Sequence, residues 1–447
     1  MFVGHRVFVG CDSFYFAMSQ RLRVHWLRAI EVIYAVVALF ALTQGPVIRL
    51  WRPSEALLES LPNPSISHVH FATYAAVQIP AVLMWARRVD ARWLRDRQNQ
   101  MLAGLLSWLG LSVVWSTFAR HSLPEIVSLA LTSGFGLYLA SSFSVRQFWM
   151  IVSSAMAIGV VVSWVAIMRL WDGAVNFQEG YWVGIYFNRN SLAPVTAVAI
   201  LGAFGLVVEL VFEEGRLRGT SILALCLIAL SVACVAAVEL WNSESQTSPS
   251  ALGIASLVVL LWLVARKLSD GLRLAPVFRR NLIPILITAV SVAVFSALRF
   301  EIGIGGVETQ TTAFNQRSGL WSLSWAGVLE KPWHGWGWMS AWHTPLFFLS
   351  SQEPTWMAWD LEWSHNGYHD LLLGGGIPAA VFFAAYVWTG SRRATQSTVP
   401  QVAPQLLLLT FVLAAATQES FFVGSHFLWA LLVASLALKP VRNTSVD

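Results

Sequence analysis

Apolar residues in this chain gather into long runs separated by short polar connectors. A helix that crosses a bilayer needs roughly 20 mostly apolar residues. Twelve runs approach that length, at about 29–48, 66–86, 101–118, 124–142, 147–168, 191–212, 220–240, 250–265, 281–299, 366–390, 404–418 and 421–438. The pattern predicts an all-α polytopic membrane protein with about 12 transmembrane helices. The last two runs are short, and a re-entrant hairpin is the alternative for them. The expected organisation is an N-terminal segment 1–28, helices 1–9 over 29–299, a long loop 300–365, helices 10–12 over 366–438 and a C-terminal segment 439–447. No soluble domain, tandem repeat or low-complexity tract interrupts the runs.

The polar connectors are mostly short, so the segment 300–365 stands apart. A loop of that length without structure of its own is unusual unless it is functional. Nine of the chain's 23 tryptophans fall between Trp321 and Trp363. Leu320, Trp321, Leu323, Trp325, Val328 and Leu329 recur at helical spacing before Pro332, which predicts an amphipathic helix ended by that proline. Such a helix lies at the membrane interface with its tryptophans at headgroup depth. Some of these rings are also suited to stacking on sugar faces.

Composition sharpens the class. Hydrophobic residues make up 56% of the 447 residues and charged residues only 12%, against about 25% in a soluble domain. Mean hydropathy is +0.60. No cleavable signal peptide is expected in residues 1–28, which carry Arg6, Arg21, Arg23 and Arg28 without a clear apolar core. Cys11, Cys226 and Cys234 provide no disulfide framework. Counting Lys and Arg in alternate connectors puts 21 on one side and 8 on the other, together the chain's 29. The positive-inside rule then predicts both termini in the cytoplasm and 300–365 outside.

Three outward-facing residues are candidates for chemistry. His365 lies in Glu362-Trp363-Ser364-His365-Asn366-Gly367, where the long loop meets a new apolar run. Arg317 lies in Asn315-Gln316-Arg317-Ser318-Gly319-Leu320-Trp321, and Arg189 in Tyr186-Phe187-Asn188-Arg189-Asn190-Ser191. A histidine at a membrane edge is costly to place unless something uses it. His365 is followed by Asn366 and, after ten intervening residues, by Gly376; three positions on stands Ala379.

This arrangement resembles the bacterial O-antigen ligase and O-antigen polymerase superfamily. The family's motif reads His, then Asn, Ser or Gln, then nine residues, Gly, and three further on Gly, Thr or Tyr, so Ala379 departs from it. Glu330-Lys331-Pro332-Trp333-His334-Gly335-Trp336-Gly337 is similar to the family's acidic-Pro-Gly-aromatic-Gly turn. The Ser-rich start at Gln246–Leu252 is similar too, without the Arg often found there. The resemblance covers roughly residues 180–390. It implies a GT-C-like membrane glycosyltransferase of the bacterial inner membrane with its active site on the extracytoplasmic face. Its partners would be a polyprenyl-pyrophosphate-linked glycan donor, a glycan or glycolipid acceptor and membrane lipids, with no nucleic acid and no cofactor.

The residues suit that chemistry. A departing lipid pyrophosphate needs its charge neutralised where water is scarce, and arginine's planar fork matches phosphate oxygens. Arg189 and Arg317 are the expected pyrophosphate ligands, with Asn188, Asn190 and Asn366 in support. Interfacial snorkelling is the ordinary alternative for either arginine. His365 can act as general base on the acceptor hydroxyl or, protonated, as a further phosphate contact. Glu362 and Asp360 stand close enough in sequence to orient its ring. Their spacing would also suit a divalent-metal pair, though further ligands are lacking and no metal is expected. His334, His343 and His369 are weaker candidates. Glu31, Glu209, Glu239 and Glu419 lie in or near apolar runs and receive no role. The acceptor remains open between a lipid A–core sugar (ligation), another lipid-linked repeat (polymerisation) and a protein hydroxyl, and the alternative class is transport of a lipid-linked glycan without chemistry.

Overall fold

A computed structural model describes residues 26–47, 64–212, 219–271, 281–286, 313–344, 363–394 and 399–438. These residues form helices and turns, with one isolated antiparallel bridge between Val175 and Trp182. The helices are α1 (26–41), α2 (Pro64–Arg88), α3 (Arg97–Leu111), α4 (Ala119–Ser142), α5 (Val145–Met168), α6 (Arg189–Phe212), α7 (Gly219–Asn242) and α8 (Thr247–Gly271). A short piece, α9 (281–286), is followed by α10 (Ala313–Glu330), α11 (Gly367–Ala394), α12 (Val399–Ala415) and α13 (Phe427–Ala437). Six of them, α4 to α8 and α11, are long and apolar enough to cross a membrane. The expected stretch 281–299 is described only in α9, and Glu362, Asp360 and both termini lie outside the described residues.

The helices pack as a bundle in which sequence neighbours are often spatial neighbours. α6 lies between α5 and α7, α2 against α4, and α3 against α11; α12 packs on α8 and α6, and α13 on α4. α13 is apolar all round, and Phe427 to Leu436 are buried without exception. A helix with no polar face belongs at the centre of a bundle. The expected run 421–438 is helical only from Phe427, and at 1.5 Å per residue α13 is about 16 Å long, about half the roughly 30 Å hydrocarbon core. Residues 416–426 between α12 and α13 are instead a folded connector, and that connector carries the site described below.

One pole of the bundle is rich in arginine. Arg28 and Arg88 both bond Glu31, at 2.9 and 2.6 Å, tying the start of α1 to the end of α2. Arg88 also donates to Ser142 Oγ, and Arg28 to Gln147 Oε1, which adds the end of α4 and the start of α5. Arg393 near the end of α11 pairs with Asp96 at the start of α3. Gln98 donates to the carbonyl of Leu436, which brings in the end of α13. These bonds involve residues from four of the segments that the arginine count groups together: Arg28, Arg88 with Asp96, the 142–147 connector and Arg393.

At the opposite pole, α10 occupies part of the long connector and ends at Glu330, two residues before Pro332. The turn that follows presses on α11. α11 breaks at Gly376, whose φ of 65° and ψ of −162° are open to glycine and not to other residues. Ile377 N–H donates to the Pro332 carbonyl, Trp336 N–H to Leu373, and Trp108 Nε1–H to Gly375. A Cβ on Gly376 would sit 2.6 Å from the Trp333 carbonyl carbon, and one on Gly335 would sit 2.5 Å from the Leu373 oxygen. Gly376 of the histidine motif and Gly335 of the Trp-rich turn are therefore two halves of one backbone-to-backbone contact.

Candidate active site

His365 sits in the tight turn that leads into α11. Asn366 caps the helix: its Oδ1 accepts from the N–H groups of Tyr368 and His369 at 3.0 and 3.2 Å. The Ser364 hydroxyl donates to the Asn366 carbonyl and accepts from its N–H, which closes the turn. The cost falls on His365, which adopts φ of 51°. Non-glycine residues in this left-handed region are uncommon and concentrate at functional sites. Trp321 of α10 holds the turn from behind by donating Nε1–H to the Ser364 carbonyl at 3.1 Å.

The connector 416–426 is docked on this turn. Gly367 N–H, the first of α11, donates to the carbonyls of Ala416 and Glu419. That places the Glu419 carboxylate at the centre of the candidate site. His365 Nδ1 lies 2.7 Å from its Oε2, and Arg317 Nη2 lies 2.5 Å from its Oε1. Arg317 Nη1 also donates to the Gln418 carbonyl. Asn190 Nδ2 donates to Oε1 at 2.9 Å, and Ser245 at the head of α8 donates to Asn190 Oδ1 at 2.9 Å. Side chains from α6, α10, the α11 turn and the α12–α13 connector thus converge on one glutamate.

Exposure within the group is graded. The Glu419 side chain is 9% exposed, Arg317 19% and His365 33%. Burial pushes the Glu419 carboxyl up, but bonds and charges from His365 and Arg317 outweigh it and hold the group below its ordinary 4.5. A carboxylate on Nδ1 fixes the His365 proton there and leaves the Nε2 lone pair for a ligand. Among the described residues, two of the five Arg317 donors are engaged, by the Gln418 carbonyl and the Glu419 carboxylate. Glu419 and Arg317 cancel in charge.

The expected residues separate into two groups. His365, Arg317 and Asn190 meet at Glu419. Arg189 does not join them: its guanidinium stacks over the Tyr181 ring at 4.7 Å, and among the described residues no carboxylate pairs with it. It follows Asn188, whose Oδ1 accepts from Ser191 N–H and Oγ–H and so caps α6. Asn188 and Asn366 are both occupied as helix caps. No family model matches the chain, and no curated protein matches it.

The weaker histidines have partners of their own. His369 Nδ1 lies 2.9 Å from Ser324 Oγ, with the Trp325 ring beside it, as a buried core histidine does. His334 Nδ1 lies 2.9 Å from the Gly335 carbonyl. His343 packs on His121 with ring centroids 4.4 Å apart. Glu419 is the member that sequence reasoning left unassigned. The signal for it was an acid in Gln418-Glu419-Ser420, a polar triplet between two strongly apolar runs.

Proposed function

We propose that the protein is an integral-membrane glycosyltransferase of the O-antigen ligase type, with the His365 pole on the extracytoplasmic face and the arginine pole in the cytoplasm. The observation that carries this reading is the joining of His365, Arg317 and Asn190 through Glu419. A general base and a phosphate-matching cation, more than 40 residues apart in sequence, share one buried counter-ion. His365 Nε2 removes the proton from an acceptor hydroxyl, whose oxygen attacks the anomeric carbon of the glycan. The bond from that carbon to the lipid pyrophosphate breaks, and the leaving group keeps the electron pair. The attack is in line and inverts the anomeric centre. Arg189 and Arg317 neutralise the charge that develops on the pyrophosphate. Fixed cations supply this charge, so the transfer is read as metal-independent. The acceptor is a lipid A–core sugar or a similar glycolipid.

The test is product analysis with purified protein, a polyprenyl-pyrophosphate-linked glycan and a glycolipid acceptor. The expected result is release of polyprenyl pyrophosphate with one glycan added per acceptor. A ladder of repeats would make the enzyme a polymerase. No release at all, with donor moved across vesicles, would make it a transporter.

A further inference from the structure

Behind His365 and Glu419 lies a second buried carboxylate. Asp370, in the first turn of α11, is 5% exposed. Its Oδ1 accepts from the N–H of Ser364 at 2.9 Å, and its Oδ2 accepts from the hydroxyl of Ser420. Ser364 is the residue before His365, and Ser420 is the residue after Glu419. One side chain therefore grips both non-helical segments, each one residue away from a member of the site.

Helix capping accounts for half of this. An acid near a helix N-terminus is favoured by the helix dipole, and the bond to Ser364 folds the chain just ahead of the cap back onto the first turn. It does not account for Ser420, which belongs to a connector 50 residues further on. Nor is capping short of an acceptor at α11, because Asn366 already serves the N–H groups of Tyr368 and His369. What the second bond achieves is register. The 2.7 Å contact between His365 and Glu419 joins a strained turn to a connector, and a strained φ persists only where its surroundings over-determine it.

We propose that Asp370 is a positioning residue for the His365–Glu419 pair, clamping the turn and the connector so that the imidazole keeps Nδ1 on the carboxylate and Nε2 free. This rests on the transfer reading for its kinetic consequence but not for its structural one. Residues that orient a reacting group through another group typically change activity about 10–100-fold when altered.

The experiment compares Ser420→Ala, Asp370→Asn and Asp370→Ala in the full-length protein. Two readouts are taken: kcat and donor KM for transfer, and the carbethoxylation rate of His365 by diethyl pyrocarbonate, followed by peptide mass spectrometry. Ser420→Ala removes one grip without touching α11, so it keeps the test intact if Asp370→Ala does not fold. The expected result is a fall in kcat of about 10-fold or more in Ser420→Ala and Asp370→Asn, with donor KM changed less than about 3-fold. The His365 modification rate should rise several-fold, and a Ser420→Ala/Asp370→Ala double variant should lose no more than Asp370→Ala alone. Wild-type kcat and an unchanged modification rate in both Ser420→Ala and Asp370→Asn would overturn the proposal. If the wild-type protein shows no transfer, the transfer reading falls, and the modification rate alone decides the clamp.

Discussion

Each pole of the bundle is built around one glutamate, and the two are held very differently. Glu31 receives Arg28, Arg88 and the Tyr138 hydroxyl, all from helices, and its arginines are 35% and 44% exposed. Glu419 receives one arginine, one histidine and one amide, and both it and His365 sit on non-helical backbone. Two permanent cations on helical side chains make a fixed clamp whose charge does not change near neutral pH. One arginine and one imidazole share the other carboxylate, and the imidazole keeps a second nitrogen that the carboxylate does not engage. Similar ion-pair chemistry thus holds helix ends together at one pole and leaves a reactive nitrogen at the other.

The sharpest way to break the comparison is His365→Ala. We expect transfer to fall about 10²–10⁴-fold, as loss of a general base does, with expression and melting temperature near wild type. Normal turnover in that variant would remove His365 from the mechanism. Glu419→Gln comes next, with kcat down about 10²-fold, because an amide no longer fixes the proton on Nδ1. It also has a signature in stability. The Glu419 pKa is lowered by folding, so its contribution is complete above the ordinary 4.5 and is lost as pH falls through the lower folded value. Wild-type melting temperature should drop over that acidic range, and Glu419→Gln should drop less; parallel curves would refute the assignment.

Arg317→Lys should cost about 10–100-fold in kcat/KM, nearly as much as Arg317→Ala. An ammonium cannot serve the Gln418 carbonyl, Glu419 and a phosphate in one fixed geometry. Full activity in the lysine variant would reduce Arg317 to a general positive charge. At the other pole, Glu31→Gln should leave kcat unchanged and lower stability by about 1 kcal/mol or less, since water reaches a third or more of each partner arginine. A large loss of transfer there would couple the poles. The smallest expected effect is that of EDTA, which should change nothing in the transfer rate. Loss of activity on chelation, restored by Mg²⁺, would instead assign Asp360 and Glu362 as ligands.

Much of the helical layout was legible from apolar runs, and Pro332 marked the end of α10 to within two residues. His365, Arg317 and Asn190 were also legible one by one, because a polar residue at a membrane edge is conspicuous. Their meeting point was not. Glu419 looks like Glu209 or Glu239 in sequence: an acid beside apolar residues. What distinguishes it is contact with Arg317 and His365, 102 and 54 residues away, and no local pattern encodes pairing at that range. The short α13 misled for a related reason. Burial inside a bundle and burial in lipid call for the same apolar composition, so the run 421–438 reads as a span although its first six residues form the connector.

The break in α11 bears on how the protein is made. Three backbone groups around Gly376 bond outside their own helix, to Pro332, Trp336 and Trp108. Unsatisfied backbone groups in hydrocarbon cost several kcal/mol each. During synthesis, α3 and the 331–338 turn emerge before α11 and are already present when it inserts. The partner that completes the helix therefore always precedes it off the ribosome. A circular permutation that delivered α11 ahead of both would leave those groups bare at the moment of insertion, with every residue of the mature fold unchanged.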